Sequence, residues 1–90
     1  MTSSGPGVDP RAVDVETDDD TLTVDLADGR RLMVPLAWFP RLLHATSVQR
    51  RNWRLVGDGQ GIHWPDLDED LSVGGLLRGS AAPDASRRAV

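Results

Sequence analysis

Four carboxylates, Asp66, Asp68, Glu69 and Asp70, follow His63 and Trp64 within the stretch G-I-H-W-P-D-L-D-E-D-L-S-V-G-G-L-L-R-G, Gly61 to Gly79. Oxygen donors at this density could hold Mg²⁺ or Ca²⁺, or supply a carboxylate pair for acid–base work. A metal-dependent hydrolase using Asp66, Asp68 and His63 is the enzymatic reading. Its spacing is poor. A helix–loop–helix calcium site needs oxygens at alternating positions, a central glycine and a closing glutamate, and this run lacks that order. Acids just ahead of a helix more simply complement its dipole and cap free amides. They are therefore expected to be structural, with Asp66 kept as a candidate partner contact. His63 lies between Ile62 and Trp64 in an expected strand, so it points away from both. A general base needs a polar partner and a pocket, and neither is legible around it. Trp64-Pro65 anchors the turn into the acidic loop, and an exposed tryptophan there would suit an interface.

A second constellation is basic. Arg41, His44, Arg50, Arg51 and Arg54 fall within fourteen residues, and Arg41 and His44 share a helix face by their i, i+3 spacing. Such a cluster could grip phosphates or an acidic protein surface, or pair internally with Asp66 to Asp70. The turn G-D-G-Q-G at Gly57–Gly61 is a weak phosphate loop, because no lysine and helix follow it. There is no cysteine, which excludes disulfides, thiol nucleophiles and thiolate metal sites. Two histidines cannot make a histidine-rich zinc site. No cofactor or metal is expected.

Ninety residues with 39% apolar content allow one domain with a modest core. Trp38, Phe39, Trp53 and Trp64 are the only aromatics, so they are expected to carry much of it. All ten cations are arginine, a bias that fits base composition better than function. The first twenty residues hold six acids and one arginine, whereas residues 21–80 hold seven of each. The expected folded part is thus neutral, and net charge gives a nucleic-acid partner no help. With no long apolar run and no apolar leader, the expected location is cytoplasmic, with no membrane partner.

The elements needed to position these residues can be read in order. Residues 1–10 are Ser/Gly/Pro-rich and are expected to be a disordered tail. Ala12, Val13 and Val15 begin a first strand that ends at Asp18-Asp19-Asp20. Leu22, Val24 and Leu26 alternate with polar residues, Asp28-Gly29 turns the chain, and Leu32 and Val34 alternate on the return. A two-residue loop would set Asp25 opposite Leu32. A three-residue loop, Ala27-Asp28-Gly29, pairs Val24 with Leu32 and puts Gly29 at the left-handed position, so it is preferred. Pro40 starts a short helix to about Ala45. Thr46 with Gln49 reads as a capping box for a second helix to about Trp53. Leu55-Val56 and Ile62–Trp64 form a further hairpin, and Ser72 caps a last helix that ends at Gly79. Residues 80–90 read as a second disordered tail.

Five elements in this order, L-x-V-x-L-x-D-G-R, V-P-L-x-W-F-P-R-L, A-T-x-x-Q-R-x-N-W-R-L, G-x-G-I-H-W-P-x-L-D-E-D-L-S-V and G-L-L-x-G, resemble a small prokaryotic family, the domain of unknown function 2442. The resemblance spans roughly Ala12 to Gly79. It implies a compact α+β fold. Some members look like partners of a neighbouring small protein in a toxin–antitoxin-like pair, and some carry a helix-turn-helix DNA-binding domain for which these ninety residues leave no room. No catalytic residues come with the resemblance.

The combined expectation is a single α+β domain over residues 11–79: an antiparallel β-meander, a two-helix segment, a second β-hairpin and a short C-terminal helix. Its expected role is that of a non-enzymatic protein-binding module, the antitoxin-like partner in a two-protein system. Its candidate contacts are Arg41, His44, Arg50, Arg51, Arg54, Trp64 and Asp66. The alternative is a nucleic-acid-binding regulator using the Arg41–Arg54 segment.

Overall fold

The structure is a computed structural model, and it describes residues 9–79; of the tails expected at 1–10 and 80–90, residues 1–8 and 80–90 lie outside the described residues. Two three-stranded antiparallel sheets and three short helices make an α+β fold. The first sheet is a meander of β1 (Ala12–Thr17), β2 (Thr21–Leu26) and β3 (Arg31–Pro35), with β2 in the middle. Its inward face carries Val15, Leu22, Val24, Leu26 and Val34, all buried, as the period-two alternation requires. The register matches the three-residue loop: Val24 pairs with Leu32 and Leu22 with Val34. Gly29 sits at φ +94°, where an L side chain would be strained.

Pro35 ends β3, and a single 3₁₀ turn (Leu36–Trp38) leads into α1 (Pro40–Leu43). Helix α2 (Ser47–Arg51) begins in a complete capping box, Thr46 accepting from the Gln49 amide while the Gln49 side chain accepts from the Thr46 amide. This satisfies two amides that a helix start leaves free. The second sheet follows: β4 (Arg54–Val56), a 3₁₀ turn (Gly57–Gly59), β5 (Gly61–Trp64) and β6 (Glu69–Ser72), with β5 in the middle. Ser72 then caps α3 (Val73–Arg78) through the Gly75 amide, and Gly79 closes it in the left-handed conformation. One continuous core joins both sheets to the helices, with Leu36, Leu42, Ile62 and Trp64 fully buried.

Two expectations need correction. Asp66 to Asp70 is not the approach to a helix. Pro65–Asp68 is a hairpin loop, and Glu69 and Asp70 lie in β6, paired with Trp64 and His63. The hairpin expected there is a three-stranded sheet, because Leu71 and Val73 keep the alternation going into the core. Asp9, just ahead of β1, makes contacts with the meander. The Asp9 amide donates to Asp28 Oδ2, and Asp9 pairs with Arg11.

Asp28 holds the β2–β3 loop, accepting from the amides of Asp9 and Arg30 and from the Arg30 side chain. The Arg30 guanidinium first, then these amides, lower its pKa to about 2. A depressed carboxylate pKa contributes stability above the unfolded value of 3.8, and that stability is lost as the pH falls toward 2. Asp28→Asn should therefore flatten the acid limb of a stability-against-pH curve below pH 3.8, measured by urea unfolding; an unchanged limb would contradict this account. Gly59, at φ +93°, has no room for a Cβ, which would collide with the main-chain oxygen of Ala12. Gly59→Ala should cost about 2 kcal/mol or more, read as a drop in thermal midpoint.

Candidate functional site

The basic segment does not stay together on the surface. Arg50, from α2, turns inward and is only 9% exposed. Its Nε donates to the carbonyl of Leu42 (2.9 Å), Nη2 to those of Leu43 (3.3 Å) and Ala45 (3.0 Å), and Nη1 to that of Asp18 (3.1 Å). Three of these carbonyls lie at the end of α1, a helix too short to pair them itself. The Asp19 carboxylate is 3.8 Å from Nη1 and fully exposed, so it adds little. Arg50 is a structural clamp, not an interface residue.

Trp64 is also withdrawn. It is 0% exposed, and its Nε1 donates to the Arg50 carbonyl at 3.0 Å. Ile62 and Trp64 alternate onto the inward face of β5, so neither is available to a partner. Two of the expected contact residues therefore serve the core.

Arg41 and Asp66 remain exposed but are engaged. Arg41 Nη1 donates to the Asp68 carbonyl at 2.7 Å and lies 3.8 Å from Glu69 Oε1. Asp66 accepts from Asn52 Nδ2 at 3.0 Å. These contacts fasten the β5–β6 loop to both helices, in part as the internal-pairing alternative proposed. Burial raises the Glu69 pKa, and Arg41 opposes that shift. A raised acid pKa favours the fold at low pH and loses that contribution as the pH rises through it.

His44 is exposed at the end of α1. Arg54 is exposed on β4, directly opposite His63, which is in turn opposite Asp70. His63 Nδ1 lies 2.7 Å from Asp70 Oδ1, a polar partner the sequence did not reveal. Cross-strand parity would have found it once β6 was recognised. Asp66, Asp68 and His63 are not assembled as a ligand set. Among the described residues no group of three His, Cys, Asp or Glu side chains could hold a metal ion.

What remains of the basic segment centres on Arg51. It is exposed, and among the described residues it joins no ion pair. With half-buried Trp53 it forms one wall of a cleft of about 320 Å³ whose other wall is β1 at Val15, Glu16 and Thr17. Trp53 was counted only as a core aromatic; its partial exposure beside a free arginine is what the sequence concealed.

The family model described as "Protein of unknown function (DUF2442)" matches residues 12–82. A crystal structure of a protein of unknown function from Rhodospirillum rubrum is 32% identical, with a TM-score of 0.72 over 83% of this chain and 93% of that one. A solution structure of an uncharacterised protein from Chromobacterium violaceum is 26% identical, with a TM-score of 0.68 over 80% of this chain and 68% of that one. No curated protein matches the chain.

The clamp can be tested by substitution. Arg50→Ala removes the shared donor to four carbonyls, at Leu42, Leu43, Ala45 and Asp18, and should cost about 3 kcal/mol. Arg50→Lys should recover only part of that, since an ammonium cannot span the fork of acceptors that a guanidinium reaches. Urea unfolding of both variants checks this; an Arg50→Ala cost within about 0.5 kcal/mol, the range of ordinary surface changes, would contradict it.

Proposed function

Because the chain belongs to the DUF2442 family of proteins of unknown function, we propose a role from its own surface: a non-enzymatic module that binds a small protein partner. The supporting observation is the cleft beside α2. There a free arginine, Arg51, and a half-buried tryptophan, Trp53, stand together next to a sheet edge. Arginine and tryptophan are the side chains that most often anchor interfaces, since each brings a large contact area with a polar handle. Arg54 is exposed on the next strand, opposite His63. The antitoxin-like role in a two-protein system, acting in the cytoplasm, belongs to the same proposal and rests on the family resemblance. No helix of the described residues is long and apolar enough to cross a membrane.

A second reading is nucleic-acid binding through the Arg41–Arg54 segment. Arg50 is buried, and Arg41 is bound to the β5–β6 loop, which leaves Arg51 and Arg54 as the cations of that segment without an ion pair among the described residues. Phosphate binding resting on two guanidinium groups would show a shallow salt dependence, with a log–log slope of about −2. That is little for an RNA or DNA regulator, and the protein-binding reading is preferred.

Co-expression with the product of an adjacent gene is the test. The wild-type chain should co-purify with it, and Arg51→Glu should weaken capture by roughly tenfold or more with an unchanged thermal midpoint. A chain that ignores this partner, or an Arg51→Glu variant that binds as well as wild type, would count against the proposal.

A further inference from the structure

β1 is an outer strand of its sheet, and the ladder fixes which of its main-chain groups look outward. In an antiparallel pair, residues that exchange main-chain bonds alternate with residues that do not. The Asp18 amide donates to the Thr21 carbonyl, and the Ala27 amide to that of Arg11. The bonding positions of β1 are therefore Asp14 and Glu16, opposite Asp25 and Thr23. The other face of β2 obeys the same parity, since the Leu26 amide donates toward β3, to the Arg30 carbonyl. It follows that the N–H and C=O groups of Val15 and Thr17 point away from β2.

Among the described residues, no main-chain bond outside the ladder uses those groups. Val15 and Thr17, with Glu16 between them, line the cleft of about 320 Å³ whose opposite wall is Arg50, Arg51 and Trp53. Val15 is only 5% exposed, and main-chain groups so enclosed are normally paired. The opposite wall has a complementary character. Arg50 is consumed by carbonyls, so Arg51 is the cation available there. The parity of β1 places Glu16, with Asp14, on the outer face of the sheet, where both raise the pKa of Arg31 after Asp25 does.

We infer that the edge of β1 accepts an extended peptide segment of the partner that presents a carboxylate toward α2. Its main chain pairs with Val15 and Thr17, one carboxylate meets Arg51, and an apolar side chain lies on Trp53. This rests on the protein-binding reading above and adds how the partner is held: strand addition, with main-chain bonds for affinity and alternate side chains for selectivity. The two outward positions span roughly 7 Å, so about three residues of the partner are gripped. Side chains on the segment's other face pass Asp14 and Glu16, where a carboxylate is disfavoured. The selected pattern is acidic or apolar toward α2 and neutral or basic toward the outer face. The same two acids oppose a second copy pairing through its own β1.

The experiment uses the full chain labelled with nitrogen-15 and the blocked peptide acetyl-Leu-Lys-Glu-Lys-Leu-amide. Its controls are the same peptide with the glutamate replaced by lysine, and with its alternate amides methylated. The Val15 and Thr17 amides should shift and exchange about tenfold more slowly with solvent. The lysine peptide, or Arg51→Ala in the protein, should weaken binding about tenfold, and methylation should abolish it. Shifts confined to other residues, no shift at millimolar peptide, or the same shifts on concentrating the protein alone would overturn the inference. Thr17→Pro removes only an outward amide and spares the β2 ladder. If wild type and Thr17→Pro capture the protein partner equally, edge pairing is overturned and the protein-binding reading stands. If the peptide binds at Val15 and Thr17 but no partner is captured, that reading is overturned and the edge site stands.

Discussion

The guanidinium of Arg50 is the interaction on which the rest of the structure depends. Helix α1 has four residues, too few to satisfy its own carbonyls or to be stable alone. Arg50 reaches back from α2 and takes the carbonyls of Leu42, Leu43 and Ala45, then that of Asp18 in the β1–β2 loop. One side chain thus ties two helices to the meander. Burying a cation costs several kcal/mol unless its hydrogen bonds are met, and here the carbonyl dipoles of a helix end meet them. The clamp extends to the second sheet through Trp64, whose indole donates to the carbonyl of Arg50 itself.

That internal use of Arg50 shapes the surface. Arginines adjacent in sequence have opposite fates: Arg50 is enclosed and Arg51 stands free over the cleft with Trp53. Arg41 fastens the β5–β6 loop through the Asp68 carbonyl, and Asn52 does the same through Asp66. The stretch that looked most like an active site is a hairpin held down by its neighbours. The face proposed for recognition is the cleft that Arg51 and Trp53 form against β1.

Much of the fold was legible in the residues because it is set locally. Loop parity around Asp28-Gly29 determined the β2–β3 register, and Thr46 with Gln49 marked the start of α2. Ser72 and Gly79 bracketed α3. What escaped was set by distant partners. β6 contains Glu69 and Asp70, poor strand formers next to a helix cap, and becomes a strand only by pairing with β5. Arg50 carries no local mark of burial, since its acceptors come from α1 and the β1–β2 loop. The burial of Trp64 followed from its parity with Ile62 and from its expected core role, yet it was also kept as a candidate contact. Trp53 and the outward groups of β1 needed both walls of the cleft in place.

The central claim is that recognition occurs on the face shared by β1 and Arg51–Trp53, with Arg50 and Trp64 held behind it. Hydrogen–deuterium exchange of the full chain, alone and with the adjacent gene's product, measures this most directly. The account predicts new protection concentrated at residues 15–17 and 51–54, with the β5–β6 loop unchanged. Protection confined to residues 61–72, or spread evenly over the chain, would contradict it.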